Sequence, residues 1–285
     1  MECSSIKVSK YLSKLYVNYM LHPHKTPVVW ITGASSGIGA ALVKQYALKG
    51  FNLVVSSRSK TALQHIIDDL QYDLNRVLIL DFDLNERHSY SDFLNVILHR
   101  FGRLDILFLN GGISQRSNAL ETTEEVERRL MQINYFAQVA MAKAVLPLMQ
   151  KQGKGQIVVI SSIAGKFGFY LRSTYAAAKH ALFGYFESLR LETERYGIKI
   201  HIVYPGKIKT QVSVHAIGAD GNPHRKMDPS HQNAMSAEAC AVYIIKQMKL
   251  GKTDFFVGGK EGWILVIKRF FPSWFKSIIR KQSPY

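Results

Sequence analysis

Seven short apolar runs punctuate the chain from residue 27 onward: PVVWIT (27–32), FNLVVSS (51–57), NRVLILD (75–81), LDILFLN (104–110), GQIVVISS (155–162), IKIHIVYP (198–205) and TDFFVGG (253–259). The first six have strand length and too few polar alternations for a sheet wetted on one face, so both faces are expected to be covered. Between the runs the apolar positions take up a helical spacing, in AALVKQYALKG, KTALQHIIDDL, SYSDFLNVILHRFG and the long EEVERRLMQINYFAQVAMAKAVLPLM, with the alanine-rich STYAAAKHALFG (173–184) further on. Strands joined by helices of this length need right-handed crossovers, which build a parallel sheet with helices on both sides. The pattern predicts an α/β fold, doubly wound in the Rossmann manner, around a mostly parallel seven-stranded sheet.

Three segments depart from this rhythm. Residues 208–235 are polar, broken by Gly and Pro, and long for a connection, which marks a lid or substrate loop. Residues 260–285 mix Trp263, Phe270, Phe271, Trp274 and Phe275 with Lys268, Arg269, Lys276, Arg280 and Lys281. Such a tail suits packing on the domain, a subunit contact or a membrane interface. Residues 1–26 alternate lysines with apolar residues and lack a continuous signal-peptide core, so an amphipathic extension is expected there. With no internal repeat or long linker, residues 27–259 read as one domain between these two extensions.

Composition narrows the class without setting the activity. Hydrophobic residues make up 47% and charged residues 20% of the 285, the balance of a folded globular protein. Two cysteines with no CxxC spacing point to a reducing, cytoplasmic setting, and ten scattered histidines without carboxylate clusters predict no metal site. The formal charge of +16 is spread over the chain with no nucleic-acid-binding module, so nucleic acid is not an expected partner. Acidic ligands and peripheral contact with an anionic membrane remain compatible with it. No run approaches the ~20 apolar residues that span a bilayer.

The first apolar run leads directly into TGASSGIG, residues 32–39, and then into a helix. Gly33 permits a tight turn, Gly37 lets the backbone approach a pyrophosphate, and Gly39 allows close helix packing. The free N–H groups and positive end of the helix then face phosphate. The second run ends VVSSRS, which puts Ser57 where an enzyme using NAD places an acid for the ribose 2′-hydroxyl, and Arg58 after it. A cation with no acid beside it favours NADP(H) over NAD(H).

Of the fourteen tyrosines, only Tyr175 has a lysine four residues on, Lys179. Four residues are about one helical turn, so phenol and ammonium share a face. A free phenol titrates near pH 10, and a nearby cation favours its ionised form.

TGASSGIG, the NGG of residues 110–112, Asn134, the SSIAG of residues 161–165, the Tyr175/Lys179 pair and PGKIKT (205–210) occur in the order and spacing of the single-domain short-chain dehydrogenases/reductases. The chain resembles that family over residues 27–258, and ISQRS after NGG resembles its branch related to 11-beta-hydroxysteroid dehydrogenase. The resemblance implies Tyr175 as proton donor in carbonyl reduction and base in alcohol oxidation, with Ser162 on the substrate oxygen. It further implies Lys179 on the nicotinamide ribose and Asn134 on a water-mediated proton path. Asp83 would contact adenine, Asn110, Gly111 and Gly112 would line the adenosine side, and Ile208 and Thr210 would meet the nicotinamide. Ser35, Ser36 and Ile38 of the glycine-rich turn, with Pro205 and Gly206, complete the implied cofactor site. Gly111 stands where alanine is common in the family.

Substrate contacts are expected from residues 208–235 and from Ser114, Gln115 and Phe169. The expected activity is NADP(H)-dependent hydride transfer to or from a small-molecule carbonyl or secondary alcohol, lipophilic in character, by a homo-oligomer, dimer or tetramer. Two alternatives stand beside it: an NADP-binding sensor or scaffold without activity, and a dehydratase or epimerase on the same fold.

Overall fold

The computed structural model describes residues 26–212, 216–224 and 234–282. The amphipathic extension expected for residues 1–26 falls almost wholly outside this range, as does part of the 208–235 segment.

All seven apolar runs form strands of one sheet: β1 (Val28–Thr32), β2 (Asn52–Ser56), β3 (Val77–Ile79), β4 (Ile106–Leu109), β5 (Gly155–Ile160), β6 (Ile198–Pro205) and, near the end of the chain, β9 (Asp254–Val257). Their order is β3-β2-β1-β4-β5-β6-β9 and every pairing is parallel. Chain direction reverses its progress across the sheet between β1 and β4, the place where such sheets open a crevice at the carboxyl ends of their strands. Two further strands, β7 (Ile208–Lys209) and β8 (Met235–Ser236), pair separately at the two ends of the 208–235 segment.

The helices are α1 (Gly37–Leu48), α2 (Lys60–Leu70), α3 (Tyr90–Phe101), α4 (Glu124–Met131), α5 (Ala137–Gln152), α6 (Ser173–Thr193), α7 (Ala237–Lys249), α8 (Trp263–Phe270) and α9 (Pro272–Arg280). Local chemistry starts several of them. Ser59 Oγ accepts the Ala62 N–H at 3.1 Å to cap α2, and Ser236 Oγ caps α7 through the Ala239 N–H, also at 3.1 Å. In α4 the acids Glu124, Glu125 and Glu127 lie in the first turn and Arg128 and Arg129 in the last, matching the helix dipole.

Strand β1 shows how the two layers form. Val29 and Ile31 join a core with α1, α2 and α7 on one side of the sheet, while Val28 and Trp30 join a second core with α3, α5 and α6 on the other. Successive side chains of a strand point to opposite faces, so a strand covered on both must be apolar throughout. Each fully buried Val, Ile or Leu contributes roughly 1.5–3 kcal/mol. Trp30 satisfies its indole N–H in this dry setting through Ser56 Oγ at 2.9 Å.

The long helix expected over residues 124–149 is interrupted. Residues Gln132–Phe136 form a π-helical turn between α4 and α5, with Asn134 fully buried in it. Such wide turns concentrate at functional sites.

The tail folds into α8 and α9 and packs on the domain by one face. Phe275 meets Phe167 edge-on with ring centroids 5.2 Å apart, and Lys268 donates to the Lys166 carbonyl. None of the described helices is long and apolar enough to cross a membrane.

Candidate active site

At the carboxyl end of β1, Thr32 Oγ1 donates to the Phe108 carbonyl at 3.1 Å and accepts the N–H groups of Asn110 and Gly111, both at 3.0 Å. Asn110 Nδ2 donates back to the carbonyls of Thr32 (2.9 Å) and Gly33 (3.2 Å). The ends of β1 and β4 are thereby laced together, and the turn between them is held open. Gly33 and Gly37 take φ of +61° and +53°, values that favour glycine. A Cβ on Gly33 would stand 2.8 Å from Gly111 Cα. Thr32 had no role in the sequence reading, although it sits inside the motif; its hydroxyl acts on a strand 76 residues away.

These turns border a cleft of about 360 Å³ that runs along the strand ends. It is lined by Ser35, Ser36, Gly37, Ile38 and Arg58, by Asp83, Asn110, Gly111 and Gly112, and by Asn134, Ser162, Tyr175 and Lys179. Pro205, Gly206, Ile208 and Thr210 also line it, with Thr210 beside Gly37. Arg58 is exposed at the rim, next to Ser57 and Ser59. Gly39 does not line the cleft. A Cβ there would stand 2.1 Å from the Gly33 carbonyl oxygen, so Gly39 serves the packing of α1 on the turn rather than a cofactor contact.

The region around Tyr175 is assembled from four elements. Asn134, from the π turn, accepts the Ile113 N–H at 3.1 Å and donates to the Ile113 carbonyl at 3.0 Å, which fixes the segment after NGG. Gly112 permits this, since a Cβ there would fall 2.6 Å from Asn134 Oδ1. Lys179 is buried on α6, its Nζ donating to the Ile160 carbonyl at 2.9 Å, and burial lowers its pKa to about 8. The Lys179 carbonyl in turn accepts Ser161 Oγ at 3.1 Å, and Gly165 leaves room for that approach. The SSIAG motif therefore seats α6 as well as supplying Ser162.

Tyr175 and Lys179 face the cleft together, with Nζ 5.9 Å from the centroid of the Tyr175 ring. Burial pushes the phenol pKa above its ordinary value, while a hydrogen bond with Ser162 and the charges of Arg172 and Arg116 pull against that. Ser162 Oγ also accepts the Ala164 N–H at 3.1 Å, which orients it.

A second cavity, of about 760 Å³, meets the first at Ser162 and Tyr175. Phe167, Phe169 and Leu171 form one wall, and Ile264, Ile267 and Ile279 of the tail another. Ser114 and Phe169 line it; Gln115 does not. Its side chain is fully buried and turned into the protein, where Oε1 accepts the N–H groups of Thr174 (3.0 Å) and Tyr175 (3.1 Å). Nε2 donates to Ser117 Oγ and Thr122 Oγ1, both at 3.2 Å. The amide is committed to the start of α6 and is not available to a substrate.

A doubly wound parallel sheet with a glycine-rich turn at one end of a cleft and a tyrosine–lysine pair at the other defines a dehydrogenase/reductase of the Rossmann class. The pattern of the short chain dehydrogenase family matches residues 27–218, and the chain belongs to that family. It is 37% identical over 238 residues to dehydrogenase/reductase SDR family member 7B of Xenopus tropicalis, covering 81% of this chain and 77% of that one. A short-chain dehydrogenase from Streptomyces avermitilis superposes with a TM-score of 0.75 at 27% identity, over 91% of this chain and all of the other. A short-chain dehydrogenase from Sphingobium yanoikuyae in complex with NADPH superposes with a TM-score of 0.69 at 27% identity, over 81% of this chain and 87% of that one.

Proposed function

We propose that this oxidoreductase uses NADP(H) to interconvert a carbonyl and a secondary alcohol on a lipophilic substrate. One observation carries the reading: the Tyr175 phenol, bonded to Ser162, stands where the long cleft opens into the apolar cavity, with the Lys179 ammonium on the same helix face. The cleft residues suit a dinucleotide. Gly33 and Gly37 leave space at a helix start for a pyrophosphate, and Arg58 with its neighbouring hydroxyls suits a 2′-phosphate. The solved relative in complex with NADPH supports the same preference.

NADPH bound in the cleft supplies the hydride. Ser162 holds the carbonyl oxygen, and Tyr175, protonated at neutral pH as a phenol ordinarily is, donates the proton that oxygen needs. Lys179 would hold the ribose, and its positive charge beside the phenol would stabilise the phenolate left after transfer. In the reverse direction the same phenolate accepts the alcohol proton. Asn134 holds the backbone at Ile113 and thereby the wall of the cleft beside Lys179.

A screen of ketones, aldehydes and hydroxysteroids with NADPH and NADH in parallel, followed by Tyr175→Phe, tests the reading. The variant is expected to lose turnover and to retain NADPH binding. Near-normal rates in the variant would overturn the assignment, and NADPH binding without any turnover in the native chain would support a sensor instead.

The outer face of the tail supports peripheral attachment to an anionic membrane. Trp263, Phe270, Phe271 and Trp274 are 69%, 65%, 58% and 58% exposed, and Arg269, Lys276 and Arg280 are exposed on the same two helices. Aromatic and basic groups on one amphipathic face suit an interface between headgroups and acyl chains. Sedimentation with phosphatidylserine vesicles should recover the native chain and lose a variant carrying Phe270→Ser, Phe271→Ser and Trp274→Ser; equal recovery sinks the idea.

A further inference from the structure

Gly206 belongs to both cavities: it lines the cleft beside Pro205 and Ile208, and the apolar cavity beside Lys207. How this turn is held therefore bears on both spaces. The Gly206 N–H donates at 2.8 Å to the carbonyl of Val257, the last residue of β9. The strand ends there, and the next amide of the turn is taken by a side chain instead. Glu261 Oε1 accepts the Lys207 N–H at 2.8 Å, across 54 residues of sequence. An ionised acceptor makes this the stronger kind of hydrogen bond.

The chain closes tightly around that carboxylate. A Cβ on Gly206 would stand 2.5 Å from Glu261 Oε1, and one on Gly258 would stand 2.7 Å from the same atom. Neither position takes a side chain without displacing the acid. Glu261 itself is half-buried in the short 3-10 turn Lys260–Gly262, which leads directly into α8. That helix puts Ile264 and Ile267 into the cavity wall and is tied through Lys268 to the Lys166 carbonyl. On its other side the Gly206 turn continues to Thr210, whose Cγ2 would lie 3.0 Å from a Cβ on Gly37. A displacement at Lys207 thus has two places to go: into the glycine-rich turn of the cleft, or into the first turn of the tail.

We propose that Glu261 is a positioning residue for hydride transfer. Through the Lys207 amide it fixes the turn at Gly206, and with it the wall against which a nicotinamide would rest, while fastening the base of the tail to the same wall. This rests on the oxidoreductase reading and goes beyond it by making the start of the tail part of the cofactor site. Reacting groups misplaced by about 1 Å can lose on the order of a hundredfold in rate, so a single hydrogen bond at this turn has leverage on turnover. Glu261 acts through its oxygen rather than its charge, and a neutral acceptor of the same shape serves in its place.

The test compares the full chain with Glu261→Ala, which removes the acceptor, and Glu261→Gln, which keeps it. Without nucleotide, amide hydrogen exchange over residues 206–210 should quicken about tenfold in Glu261→Ala and change little in Glu261→Gln. Unchanged exchange there in Glu261→Ala would overturn the proposal. With NADPH and a carbonyl compound reduced in the wider screen, Glu261→Ala should lose about tenfold in kcat while KM for NADPH moves less than about threefold. Glu261→Gln should stay within about threefold of the native kcat. A lowered melting temperature with native kcat in Glu261→Ala would show a merely structural residue, and a loss that glutamine does not rescue would show that charge, not position, matters; either result sinks the idea. If the native chain reduces no carbonyl compound, the reductase reading fails separately, and exchange with saturating NADPH decides the positioning role. Added NADPH should then protect residues 206–210 in the native chain and Glu261→Gln but not in Glu261→Ala, whereas equal protection in all three refutes it.

Discussion

Gln115 grips the start of the helix that carries Tyr175: its Oε1 accepts the Tyr175 N–H at 3.1 Å and the Thr174 N–H at 3.0 Å. The first N–H groups of a helix have no partner within it, and the side chain of Arg172, at the cap position of α6, does not cap them. A buried amide from another segment does the capping, so the Tyr175 phenol is located by a residue that lines neither the cleft nor the cavity.

Gln115→Leu is therefore expected to leave two N–H groups unsatisfied in a buried setting, at a cost of about 2–4 kcal/mol. Thermal unfolding should show the loss of stability, and kcat should fall tenfold or more while NADPH affinity changes little. Gln115→Glu keeps an acceptor at the helix start but adds negative charge beside the phenol. It should fold better than Gln115→Leu and shift the alkaline rise of alcohol oxidation to higher pH.

Lys179 is a functional group held at a cost to stability. Burial lowers its pKa from 10.5 to about 8, worth roughly 3 kcal/mol at ~1.4 kcal/mol per unit. Between pH 8 and 10 the unfolded chain binds more protons at this residue than the folded one, so stability gains from this group as pH rises and the penalty is fully present below pH 8. Lys179→Met should abolish turnover, match or exceed the native melting temperature at pH 7, and lose that gain between pH 8 and 10. Denaturant unfolding of both proteins across the range measures the difference. In the native enzyme, ketone reduction should decline as pH passes 8 and Lys179 loses its charge.

Arg58→Asp should reverse the coenzyme preference. An acid at this rim position would repel a 2′-phosphate and accept a hydrogen bond from a 2′-hydroxyl. The ratio of kcat/KM for NADPH to that for NADH is expected to fall at least a hundredfold, chiefly in KM, with a small change in stability because Arg58 is exposed.

All seven strands were legible as apolar runs; burial is continuous or nearly so along β1, β2, β4, β5 and β6, which are covered on both faces, while the edge strands β3 and β9 are only partly buried. The cleft residues were legible because turns and helix starts impose local demands, such as the positive φ of Gly33 and Gly37, that a short motif meets by itself. Helix α7 went unread, and the edge strand β3 is shorter than its run, Val77–Ile79 within residues 75–81, because one side of it has no strand to pair with.

Side-chain direction was decided only in three dimensions. Ser114 faces the cavity while Gln115, its neighbour, turns inward to a helix start some 60 residues on, and composition does not distinguish the two. The π turn at Asn134 exists because its amide meets the backbone of Ile113, a contact between segments 21 residues apart. The tail shows the division most clearly. By itself the sequence determined that residues 260–285 mix basic and aromatic side chains suited to packing on the domain, a subunit contact or a membrane interface, since that depends on composition. Only the tertiary structure decided which face meets Phe167 and walls the cavity, because an apolar stripe specifies burial without specifying a partner.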